Sequence, residues 1–143
     1  VAGKPDLAGG ILAGLGNVDW TTKVVQIGQT HFRIEKLPAM AAFEVLEQIR
    51  VALGGVWPDV DLDSGVGSGM LGAILRIPKD ELAQIRSALF RSVFFRSPKV
   101  RGQEATLAGM EDMAFEGLEP VAVYRVLIGA VAVNFRDSFA GSL

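Results

Sequence analysis

Three stretches of the chain bring together residue types capable of chemistry. Gly67-Ser68-Gly69-Met70-Leu71-Gly72 spells G-x-G-x-x-G, the spacing that lets a backbone approach a pyrophosphate at a helix N-terminus. That motif needs a buried strand before it. What precedes it here is Trp57-Pro58-Asp59-Val60-Asp61-Leu62-Asp63, and no second βαβ unit follows, so a loop running into a short helix accounts for the glycines. Asp59, Asp61, Asp63 and Gly65 follow the alternate-carboxylate opening of a calcium loop. Ser64 stands where such a loop needs its turn glycine, and Met70 where a bidentate Glu would close the cage. The segment therefore reads as a solvated acidic loop. Arg91, Arg96, Lys99 and Arg101 gather around Phe94 and Phe95, types that grip phosphate and stack bases.

Charge decides the last case. Fourteen basic against sixteen acidic residues give a net charge of −2, which supplies no general field for collecting nucleic acid. The basic cluster reads as a protein-contact patch or a solvated face. His31 is the only histidine and Cys is absent; a paired-histidine site, thiolate ligands, disulfides and a Cys nucleophile all fall away. Ser64, Ser68 and Ser142 lack the strand-turn-helix setting of a nucleophile elbow. No catalytic residue, cofactor or metal is implied, and the expected class is non-enzymatic.

The elements that would position these residues follow from hydropathy patterning. Residues 1–20 contain Gly9, Gly10, Gly14 and Gly16; each glycine costs about 1 kcal/mol in a helix, and the expectation is a flexible arm. The apolar stretch Leu7 to Gly16 follows Lys4 in the manner of a signal peptide, but Asp6 and the glycines break the outline. Residues 21–143 form the expected single domain, and a domain of this size typically buries about 70% of its unfolded surface. The longest purely apolar run lies within Val126 to Val133, far short of the roughly 20 residues of a bilayer span.

From Lys23 to Lys36 the pattern has period two, with Val25 and Ile27 before Gly28-Gln29 and Phe32 and Ile34 after it. That predicts a β-hairpin with a type II′ turn, Val25 opposite Phe32, and Gln26, His31 and Arg33 on the polar face. Two strands alone are marginal, so the apolar face must meet helices or further strands. Pro38 opens an amphipathic helix with Phe43, Leu46, Ile49 and Leu53 inward, stopped by Gly54-Gly55. A short helix around Met70 to Leu75 precedes Pro78, which opens a helix predicted to run to Arg96, striped by Leu82, Ile85, Leu89 and Val93 and widened by Phe90 and Phe94. Met110, Met113 and Phe115 are expected inward anchors of a short helix or turn. Glu119-Pro120 opens a final helix to about Phe139, with Tyr124, Ile128, Val131 and Phe135 on one side. The expected fold class is mainly α, an α-rich α+β arrangement in which an N-terminal hairpin is followed by a bundle of four or five helices. A mean hydropathy of +0.34 is high for a soluble monomer, which points to surface covered by partners and leaves room for self-association.

This order of elements resembles the tail assembly chaperones of long-tailed bacteriophages. The similarity lies in Thr30-His31-Phe32-Arg33-Ile34, then Leu37-Pro38-Ala39 before a Glu-rich helix, and in Leu107-Ala108-Gly109-Met110-Glu111-Asp112-Met113-Ala114-Phe115-Glu116-Gly117. It closes with Val131-Ala132-Val133-Asn134-Phe135-Arg136-Asp137-Ser138-Phe139, an apolar helix ending in an Asn-Phe pair and a further aromatic. The resemblance runs from about Val24 to Phe139 and omits the arm. It implies a non-enzymatic helper in the host cytoplasm, absent from the mature virion, that binds the tape measure protein and tail tube subunits, and it would make this chain the short form of a frameshifted pair. No nucleic acid or membrane partner is implied, and the family has no catalytic residues to carry over. Leu46, Ile49, Leu89, Phe90, Phe94, Ile128 and Phe135 are the candidate core or groove residues for protein binding. Two other classes stay open: another phage or bacterial binding module, such as an inhibitor of a host system, and an ion- or ligand-dependent enzyme built on Asp59, Asp61 and Asp63.

Overall fold

A computed structural model describes residues 22–54 and 72–139. The arm at 1–20, the acidic loop and most of the G-x-G-x-x-G motif lie outside the described residues. The described residues begin with strand β1 (Thr22–Ile27) and strand β2 (Thr30–Glu35). Gly28 sits at φ +60° while Gln29 does not take positive φ, the pairing of a two-residue type II′ turn. The register places Val25 opposite Phe32 and Gln26 opposite His31, so the apolar and polar faces separate as the alternation requires.

Helix α1 (Ala39–Ala52) starts directly after Pro38, and Gly54 at φ +74° follows its end. A helical turn over 72–75 leads to Pro78 and helix α2 (Lys79–Phe90), whose first turn carries Asp80 and Glu81, the sign a helix N-terminus favours. Here the chain departs from the expected mainly helical bundle. Helix α2 stops at Phe90, and Val93–Arg96 forms strand β3, antiparallel to β2 with Phe95 opposite Phe32 and Val93 opposite Ile34. A 3-10 turn (Pro98–Val100), with Arg101 and Gly102 both at positive φ, returns the chain into strand β4 (Glu104–Thr106) against β3.

Among the described residues the fold is therefore a four-stranded antiparallel sheet, ordered β1-β2-β3-β4, with helices packed on it, and not a hairpin attached to a bundle of four or five helices. The physical reason is local ambiguity. Leu89 and Val93 are four apart and Phe90 and Phe94 likewise, which suits a helix, but Val93-Phe94-Phe95-Arg96 also alternates buried, half-buried, buried, exposed. The unpaired backbone edge of β2 favours the second solution, because its N–H and C=O groups need partners. The pairing continues past the strand ends, with Glu35 N donating to Ser92 O at 2.9 Å and Leu107 N donating to Val93 O at 2.8 Å.

Helix α3 (Glu111–Phe115) lays Phe115 against Phe32, the rings stacked at 5.1 Å, with Phe90 tilted beside them at 6.3 Å. Helix α4 (Val121–Phe139) crosses β1 and β2 and also meets α2. Its approach to the sheet depends on Gly129, where a Cβ would come within 2.8 Å of Ile34 Cδ1. Asn134 ties α4 to the β2–α1 connection: its Oδ1 accepts from Leu37 N at 2.8 Å while its Nδ2 donates to Ala130 O at 2.9 Å. The core gathers Phe32, Ile34, Ile85, Leu89, Phe90, Val93, Phe95, Leu107, Val126 and Phe135 between sheet and helices.

Candidate partner-binding surface

The inward face of α1 is built from Val45 and Ile49, both buried, with Ala42, Leu46, Ala52 and Leu53 half-buried beside them. Phe43, expected in that inward stripe, points the other way and is 53% exposed. It shares the outward face with Met40 and Val51, exposed by 69% and 66%. Helical geometry explains the grouping: at 3.6 residues per turn, positions 40, 43, 47 and 51 fall on one side and 45 and 49 on the opposite one. The helix is thus apolar on two faces, and only one is spent on its own core.

Beside the outward stripe, α1 and α2 enclose a groove of about 420 Å³ bounded by Glu47, Val51, Pro78 and Glu81. Glu47 is held by Arg50, whose guanidinium donates to both carboxylate oxygens, the shortest contact being 2.8 Å. These hydrogen bonds, with a smaller contribution from the charge itself, hold the Glu47 carboxyl below its ordinary pKa. A larger depression, about 800 Å³, lies between α2, α3 and α4 and is lined by Arg86, Phe90, Glu111, Asp112, Met113 and Phe115. Met113, expected inward, is 40% exposed there, and the inward anchor of α3 is Ala114. Lys99 Nζ bonds the Met113 and Glu116 carbonyls at the C-terminal end of α3.

The outward face of the sheet is polar apart from Phe94 and the exposed Val24. The Arg33 guanidinium sits 4.6 Å from the Phe94 ring centroid and donates to both carboxylate oxygens of Glu104 at 2.8 Å, with Glu35 as a further partner. Hydrogen bonding from Arg33 holds the Glu104 carboxyl below its ordinary value, helped by the Arg33 and Arg96 charges. His31 is exposed on this face and Phe95 is fully buried behind it, so the basic cluster around Arg96 offers no free pair of stacking aromatics. Among the described residues no group of three or more His, Cys, Asp or Glu is placed to hold a metal, and no helix is long and apolar enough to cross a membrane.

The residues singled out from sequence do not form one surface. Ile49, Leu89, Phe90 and Phe135 are buried in the core. Leu46 and Ile128 are half-buried at its margin, and Phe94 lies under Arg33 on the opposite side of the sheet. Met40, Phe43 and Val51 carry the exposed apolar surface of α1, and their signal in the sequence was a second stripe at spacings of three and eight, hidden by the stronger one at 45 and 49.

Fold and surface define an α+β domain that covers one face of an antiparallel sheet with helices and leaves apolar side chains open to other molecules. A family model described as phage tail assembly chaperone protein matches residues 28–143. The chain belongs to that family, and a chaperone of phage assembly acts in the host cell while tails are being built. Comparison with curated proteins and with solved structures gave no match.

Proposed function

We propose that this chaperone binds the tape measure protein, tail tube subunits or both during tail morphogenesis, in the host cytoplasm, without catalysis and without remaining in the virion. The supporting observation is the set of large apolar side chains held at the surface of the helices, Met40, Phe43, Val51 and Leu75 among them, in a chain matched to the family over residues 28–143. A long apolar helical rod such as a tape measure protein needs its greasy surface covered until tube subunits enclose it, and surface apolar groups of this kind provide the cover. Leu46, Phe94 and Ile128 are proposed as supplementary contacts, with Ile49, Leu89, Phe90 and Phe135 supporting the binding elements from beneath. The test is co-expression with the tape measure and tube proteins of the same phage. The expected result is a soluble tape measure protein that copurifies with this chain; a tape measure protein equally insoluble with and without it, and no copurifying tube subunit, refutes the assignment.

A further inference from the structure

We propose that the outward face of α1, with the groove between α1 and α2, docks an amphipathic helix of the tape measure protein that carries Lys or Arg beside its apolar stripe; this rests on the function proposed above. Met40, Phe43 and Val51 rise from α1 at spacings of three and eight, the arrangement by which a helix meets another along its length. The groove at the Val51 end supplies a concave seat between two packed helices, and a third helix lays its ridge of side chains into such a seat. An extended segment is a poor occupant. The interiors of α1 and α2 have their backbone groups bonded within the helices, so a strand docked there would leave its own N–H and C=O groups without partners. A helix arrives with those groups satisfied.

Charge names the rest of the partner. Among the described residues the groove lining holds two carboxylates, Glu47 and Glu81, and no cation. Arg50 is committed to Glu47, whereas among the described residues no ion pair engages Glu44 or Glu81. The rim is therefore net acidic beside an apolar stripe, which favours a cationic flank on the incoming helix and disfavours an acidic one. Met40, unbranched and polarisable, lets the stripe adjust to different apolar neighbours.

The test titrates the purified chain with overlapping helical fragments of the tape measure protein at low and moderate salt. Phe43→Ser and Val51→Ser are expected to weaken binding about tenfold or more, the scale of losing an interface anchor. Glu44→Gln combined with Glu81→Gln is expected to weaken it less and to flatten the salt dependence. Val24→Ser on the outward face of the sheet serves as a control, expected to bind as the parent does. All are exposed positions, and unchanged melting temperatures verify folding. If the parent binds a fragment and Phe43→Ser and Val51→Ser bind it equally well, the inference fails while the proposed function stands. Weakening by Val24→Ser instead places docking on the sheet, and loss of self-association alone in Phe43→Ser makes α1 a contact between copies; both overturn the inference. A parent chain that binds no tape measure fragment and no tube subunit overturns the function itself.

Discussion

Gly129 lies in the buried part of α4 where that helix crosses the hairpin, and an added Cβ there would meet Ile34 Cδ1 at 2.8 Å and Val25 Cγ2 at 3.7 Å. Carbon atoms rest at about 3.5–4.0 Å, so the first contact overlaps by roughly 1 Å and the second is ordinary. Ile34 is fully buried, which restricts the rotation that would move its terminal methyl aside. Overpacking of this kind costs about 1–3 kcal/mol, while replacing a helical glycine by alanine returns about 1 kcal/mol. Gly129→Ala is expected to destabilise the protein by about 1 kcal/mol as the difference between those terms. Ile34→Val removes the clashing methyl at a cost of about 0.5–1.5 kcal/mol. In that background Gly129→Ala meets only Val25 at ordinary distance, and it should stabilise by about 1 kcal/mol. The expected coupling is therefore about 2 kcal/mol, of the size found for residues in contact. Urea unfolding of the parent, both single variants and the double variant measures it. An effect of Gly129→Ala that is the same in the parent and in the Ile34→Val background would show that helix and sheet do not meet at this distance.

Two further predictions concern polar groups where α4 meets strand β1 and the β2–α1 connection. Asn134→Leu removes the acceptor for Leu37 N, leaving a donor in a part-buried setting; a loss of about 1–3 kcal/mol is expected, together with faster hydrogen exchange at the Leu37 amide, and unchanged exchange there would refute the assignment. Lys23, on the inward side of β1, is pushed below its ordinary pKa of 10.5 by burial and then by the Arg125 charge, so between its folded and unfolded pKa the unfolded chain binds more protons and stability should rise as pH climbs toward 10.5. Lys23→Met is expected to be more stable than the parent below that window and to lose this rise; a variant with the same pH dependence as the parent counts against a desolvated lysine.

Local rules made some elements legible before any tertiary contact was known. The hairpin register followed from period-two hydropathy and the glycine at its turn, and Val25 does face Phe32. Helix α1 runs between Pro38 and Gly54 because a fixed φ suits a helix start and a positive φ ends one. The outward stripe of α1 was also written in the residue order, at 40, 43 and 51, but two apolar faces on one helix leave the inward one undetermined until a neighbour covers it. Phe43 illustrates the point: by spacing it belongs equally with Leu46 or with Met40.

What residue order alone determined, then, was each segment whose conformation rests on its own turn residues and periodicity, together with the absence of thiol and paired-histidine chemistry and the resemblance to the chaperone family, whose model matches 28–143. Tertiary structure decided the segments whose pattern fits two conformations. Val93–Arg96 became a strand because β2 offered an open edge to pair with, Glu104–Thr106 followed it into the sheet, and Phe94 was thereby carried away from α2 to lie beneath Arg33. The physical reason is range: turns and caps act within a few residues, whereas the backbone edge that selected β3 was laid down about sixty residues earlier and reaches it only through the fold.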